Sequence, residues 1–105
     1  MLGIGSPKRL PQISEVPTVA ESGLPGYEAV TWFGLFTTAG TPREIISKIN
    51  AEVRQLFADA AFRERFVVPY MYETMTTSPE EFAAFVETET QRWSKVLRDA
   101  NMKVD

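Results

Sequence analysis

Apolar residues recur along this chain in three patterns, and two of them are helical. Behind Thr41-Pro42-Arg43-Glu44, the residues Ile45, Ile46, Ile49, Val53, Leu56 and Phe57 keep to one helical face, while Ser47, Lys48, Glu52, Arg54 and Gln55 hold the other. That spacing predicts an amphipathic helix over about 42–58. Thr41 and Glu44 stand at capping-box spacing, with proline at the first helical position. Ser78-Pro79-Glu80-Glu81 repeats the logic and opens a second long helix over about 79–100. Its stripe is Phe82, Phe85, Val86, Trp93, Val96 and Leu97, with Glu89 between the two halves. A glutamate there sits either at the stripe's wet edge or against a cation, and the rarity of unpaired buried charge favours the edge. Between the long helices, Asp59 is placed to cap a short helix containing Phe62 and Phe66, which Pro69 would end.

The third pattern is a run rather than a period. Tyr27 to Thr38 is aromatic and β-branched, and from Trp32 to Phe36 only Gly34 interrupts the apolar residues. This predicts a strand covered on both faces, with the glycine marking a bulge or a close backbone approach. Tyr70 to Thr77 (YMYETMTT) predicts a second strand, and Leu2 to Gly5 could form a short one. Three prolines make Ser6 to Pro17 extended loop. Pro17 then opens a short helix through Val19-Ala20-Glu21, Gly23 ends it in a left-handed cap, and Pro25-Gly26 makes a type II turn. The mixture predicts an α/β fold of short strands and two long amphipathic helices.

Composition narrows the chemistry. With 105 residues and 44% hydrophobic content, there is room for one small core. The net charge of −3 comes with scattered basic residues, so the electrostatic footprint of a nucleic-acid binder is missing. There is neither cysteine nor histidine. That removes disulfides, thiolate chemistry, the usual general base and the commonest transition-metal ligand. Met1 to Gly5 is too short for the apolar core of a signal peptide, and no segment approaches a membrane span. The chain as given is thus expected to carry no export signal.

Few residues qualify as a site. The helix openings at Ala39-Gly40-Thr41 and Thr76-Thr77-Ser78 could each hold a carboxylate on unsatisfied N–H groups, but cap chemistry alone explains Thr41 and Ser78 and is the favoured reading. Glu80-Glu81 and Glu87/Glu89 diverge on a helix and do not frame a substrate or a metal. Trp32 and Phe33 would line a cleft if the strand's end opens onto one; core is their default. The candidate ligand-binding set is thus Trp32, Phe33, Gly40 and Thr41, with no catalytic residue, metal or cofactor expected.

Taken together, SPKRLPQISEVPTVAESGLPGYE (Ser6 to Glu28), WFGLFTTAGTP (Trp32 to Pro42), IISKINAEVRQLFAD (Ile45 to Asp59) and SPEEFAAFVETETQRWSKVLRDANMKV (Ser78 to Val104) resemble, in order, the solute receptors of tripartite tricarboxylate (Bug-type) transporters. The resemblance implies a periplasmic, two-lobed receptor of the type II binding-protein architecture that closes on small carboxylates and hands them to a membrane permease. Residues 1–28 would be the remnant of the second lobe and the approach to the hinge. Residues 29–105 would be the C-terminal part of the first lobe: strand, helix, short helix, strand and terminal helix. Most of the family's ligand contacts would then lie outside this chain, which would not be ligand-competent alone. FVVPYMYETMTT (Phe66 to Thr77) departs from the family's glycine-containing link into the last helix. Deprived of neighbouring strands, Trp32 to Phe36 would expose its edges, and a homo-oligomer through those edges is expected. The alternative is a small self-associating interaction module that keeps the receptor scaffold; an enzyme is the remote third reading.

Overall fold

Both long helices form where the apolar periodicity places them. The computed structural model describes residues 2–102, with helices α1 (Arg43–Ala58), α2 (Ala60–Phe66) and α3 (Pro79–Asp99) and single 3-10 turns at Pro11–Ile13 and Val68–Tyr70. Asp59 caps α2 as expected, its Oδ1 accepting from Phe62 N at 2.7 Å. α3 is closed by its own residues at both ends. Ser78 Oγ accepts from Glu81 N at 3.1 Å, and the Glu81 carboxylate accepts from Ser78 N at 2.7 Å. At the other end Asn101 takes a left-handed φ of 52°. The Met102 and Asn101 N–H groups then reach the Leu97 and Arg98 carbonyls at 2.9 and 3.0 Å, the Schellman arrangement.

α1 begins differently from expectation. The boundary residue is Pro42, in extended conformation and with no side-chain cap bond. Thr41 is therefore one residue too early to cap, and its hydroxyl donates to Thr38 O at 2.8 Å instead. The capping box anticipated at Thr41-Pro42-Arg43-Glu44 does not form. α1 and α3 pack together, joined at their first turns by Arg43–Glu80 at 2.5 Å and, from the middle of α1, by Asn50 Nδ2 donating to Thr77 O just before α3 at 3.0 Å.

The expected strands are not realised as a sheet. Among the described residues the only ladder element is a single parallel bridge between Ile4 and Thr18. Ile4 N donates to Pro17 O at 3.1 Å, Val19 N to Ile4 O at 2.9 Å, and Ala29 N to Gly5 O at 2.9 Å. Leu2–Gly5 thus lies between two neighbours that each lend it only one or two bonds. Tyr27–Thr38 has no regular structure by hydrogen bonding; alternate residues 32, 34 and 36 nonetheless meet α3, which is the period of an extended chain. The second expected strand fails at its start: Tyr70 belongs to a 3-10 turn and Met71 takes a left-handed φ of 55°. The helix expected at Pro17–Gly23 is a turn. Its residues make a capping box without a helix behind it, Thr18 N donating to Glu21 Oε2 at 2.8 Å and Glu21 N to Thr18 Oγ1 at 3.1 Å. Arg9 adds a bond from Nε to the same carboxylate at 2.9 Å. The Pro25-Gly26 turn does form, Tyr27 N meeting Leu24 O at 3.0 Å with Gly26 at φ 79°.

Glu89 corrects another expectation. It is buried, not at a wet edge: its carboxylate accepts from Trp93 Nε1 at 3.1 Å and from Arg92 at 3.3 Å. Arg92 also donates to the Glu28 carbonyl, which ties α3 to the loop before the apolar run.

Little else is enclosed. Val16 and Val67 are the only buried apolar side chains among the described residues. The chain exposes 8593 Å², where a folded monomer of its mass exposes about 5,900 Å². Its radius of gyration is 16.8 Å, against about 13 Å for a compact domain of this length.

The capping asymmetry predicts unequal mutants. Ser78→Ala should cost about 1 kcal/mol of helix stability, read by thermal circular dichroism, and Thr41→Ala should cost clearly less. The Glu81 carboxyl is held below its ordinary range by the Ser78 backbone N–H and then by the Ser78 hydroxyl. A carboxylate depressed in the folded state adds stability above its unfolded pKa and loses it as pH falls through the lowered value. Protection factors of the first-turn amides of α3, measured by nuclear magnetic resonance against the intrinsic exchange rate at each pH, should therefore fall as pH drops below the usual carboxylate range. Glu81→Gln should remove that pH step.

Candidate functional site

A groove of about 680 Å³ lies between α1, α3 and the 33–37 segment. Ile46, Ile49, Val53 and Phe57 come from α1, Phe82 and Val86 from α3, and Met75 closes one side. The lining follows from the two amphipathic stripes, which turn toward each other and toward the apolar run. Its side-chain polar groups are Asn50, Thr37 and Thr77; no ionisable side chain enters. Such a surface accepts apolar side chains and offers nothing to fix a carboxylate.

The four candidate residues fall in three places. Trp32 packs edge-on against Phe82 and Phe85 of α3, at centroid distances of 5.8 and 5.4 Å. Phe33 stands 78% exposed at the groove, meeting only Tyr72 among the aromatic rings, at 6.0 Å. Gly40, at φ 84°, and Thr41 shape the turn that opens α1. None of the four converges on another.

The two helix openings differ. At α3, the Ser78 and Glu81 N–H groups are bonded within the capping box and Pro79 has none to offer. At α1, the Ile45 and Ile46 N–H groups turn back to Pro42 O at 3.0 and 3.3 Å, while those of Arg43 and Glu44 meet no acceptor among the described residues. These two donors, missed by reading Thr41 as a cap, have the polarity to meet an anion. Pro42 in the cap position is the sequence signal for them.

The carboxylates are otherwise engaged. Glu80 pairs with Arg43, Glu81 with the Ser78 backbone, Glu87 accepts from Gln91 at 3.4 Å, and Glu89 holds Arg92 and Trp93. No group of three or more potential metal ligands occurs among the described residues, and no helix there is long and apolar enough to cross a membrane. Arg92 to the Glu28 carbonyl and Asn50 to Thr77 span 64 and 27 residues. Such long-range ties leave no local signature in the sequence.

The family profile described as "Tripartite tricarboxylate transporter family receptor" matches residues 1–102, and the chain belongs to that family, one of transport receptors. It is 40% identical over 97 residues to the UPF0065 protein in the tcbD-tcbE intergenic region of Pseudomonas sp. strain P51, covering 91% of this chain and 29% of that protein. To Protein BugT of Bordetella pertussis it is 31% identical over 103 residues, covering 98% of this chain and 31% of that protein. The solved structure of R. palustris Rpa4515 with adipate superposes with a TM-score of 0.80 at 34% identity, over 95% of this chain and 33% of that one. The chain therefore spans less than a third of the length of the curated relatives named here.

Gly34 holds the site's geometry, since a Cβ there would enter the Phe82 ring. Gly34→Val should destabilise by about 1–3 kcal/mol as an overpacked contact. In a Trp93→Phe background, Trp32 emission should shift to the red while far-ultraviolet dichroism keeps its helical signal.

Proposed function

We propose that this chain supplies the closing part of an extracytoplasmic solute receptor. That receptor captures a small carboxylate and delivers it to the permease of a tripartite tricarboxylate-type transporter in the periplasm. The observation that carries the reading is the superposition on a protein solved with adipate at 34% identity across 95% of the chain. In this reading residues 1–28 close the second lobe and approach the hinge, and residues 29–105 complete the first lobe of a type II binding-protein architecture. The opening of α1, with Gly40, Thr41 and the two unbonded N–H groups, is the part suited to a carboxylate. Trp32 and Phe33 would shape the apolar wall beside it. The chain alone does not hold the ligand, because its groove is apolar and its candidate residues are dispersed.

A second reading is favoured by one measurement, the exposed area far above that of a monomer. It makes the chain a self-associating module that keeps the receptor scaffold.

A chimera tests the first reading. Residues 2–102 replace the matching third of Rpa4515, and adipate is titrated by calorimetry. The chimera should bind within about tenfold of the parent, about 1.4 kcal/mol, while the 105-residue chain gives no heat. A folded chimera with no adipate heat, or micromolar binding by the chain alone, would overturn it.

A further inference from the structure

We propose that Arg92 is a positioning residue that fixes the crossing of the chain at Glu28–Ala29, and through it the angle at which the N-terminal residues and the helices face a ligand. The proposal rests on the receptor reading above, in which residues 1–28 and 29–105 belong to different lobes. Each side of the crossing has bonds of its own. Residues 2–29 are knit together by Ile4 with Pro17 and Val19, by Thr18 and Arg9 with Glu21, and by Ala29 N donating to Gly5 O at 2.9 Å. A Cβ on Gly5 would strike the Ala29 carbonyl, so the two backbones cross there without slack. Among the described residues, Arg92 to the Glu28 carbonyl is the one hydrogen bond that joins this part to residues 32–102.

The cluster behind Arg92 aims it. Glu89 lies buried on the apolar stripe of α3, one carboxylate oxygen accepting from Trp93 Nε1 at 3.1 Å and the other from Arg92 Nη1 at 3.3 Å. That leaves Nη2 to reach the Glu28 carbonyl, while the guanidinium stands 5.7 Å from the centroid of the Trp93 ring. Stability gives little reason to bury a charge on such a stripe; fixing one arrangement is the better-attested use of a buried ion pair. A charge-assisted bond of this kind is about twice as strong as a neutral one. Every partner belongs to this chain, and none of the three side chains lines the groove. Arg92 thus acts on capture through the backbone it holds. A crossing ordered beforehand costs less to close on a ligand.

Distances and affinity test this separately. The chain has no native thiol, so spin labels at Glu15→Cys and Lys48→Cys, both exposed positions, report the spacing across the crossing by pulsed electron resonance. The chain with Arg92 intact should give one narrow distribution. Arg92→Lys keeps a cation beside Glu89 but offers one nitrogen where the guanidinium uses two. It should broaden the distribution with helical dichroism unchanged, as should Arg92→Gln. Lys95→Gln, which breaks an exposed pair on the same helix, should not. In the chimera with Rpa4515, Arg92→Lys should weaken adipate binding about tenfold, and Lys95→Gln should leave it as it is. A distribution already broad with Arg92 intact, or still narrow in Arg92→Lys, overturns the proposal. Broadening that comes with lost helical dichroism marks a merely structural role and overturns it too. Broadening with full adipate affinity overturns its bearing on capture. A chimera that takes no adipate even with Arg92 intact sinks the receptor reading instead, and the distances still decide whether Arg92 holds the crossing.

Discussion

The seat of residues 32–36 on the ring of Phe82 is the contact on which the rest depends. Trp32 meets that ring at 5.8 Å and Phe36 at 5.6 Å, and Gly34 between them leaves it room. Without this seat the apolar run would have no fixed relation to α3. The groove, the α1 opening and the loop reaching back to Gly5 would lose their common frame. Edge-on aromatic pairs contribute about 0.5–1.5 kcal/mol beyond burial, a large share where only two apolar side chains among the described residues are enclosed. Arg92, reaching from α3 to the Glu28 carbonyl, secures the same segment from its other end.

What could be read from residue order is what local chemistry decides. α1 and α3 carry their period and α3 carries both caps, so their bounds follow to within a residue of expectation. The start of α1 was misread because a Thr-x-x-Glu spacing scores the same whether the helix begins at Pro42 or at Arg43. The observed backbone of Pro42 is extended, and that single dihedral removes the cap and frees two donors. The reciprocal bonds of Thr18 and Glu21 carry the same Thr-x-x-Glu signature; reading Pro17 as the helix start hid it. Glu89 was placed at an edge because burial of a carboxylate is rare. The nearby Arg92 and Trp93 outweigh that rarity by satisfying it.

Strands are another matter. β-branched and aromatic residues show that a segment is fit for a sheet, but a ladder needs a second segment, and pairing partners leave no period in the first. Tyr27–Thr38 has the composition and the alternation without the ladder. Tyr70–Thr77 has the composition alone, since Val68–Tyr70 turns and Met71 reverses the chain direction. The candidate residues were dispersed for a related reason. Trp32, Phe33 and Thr41 were picked for what each could do, and only three-dimensional packing decides which of them share a space.

Synthesis order gives the Phe82 contact a temporal side. Phe82 follows Gly34 by 48 residues, so at about 5–20 residues per second the ribosome makes it about 2–10 s later. For that interval the greasy stretch has emerged without the ring on which it is seated. Until Phe82 is made, the place of the stretch against α3 cannot be set.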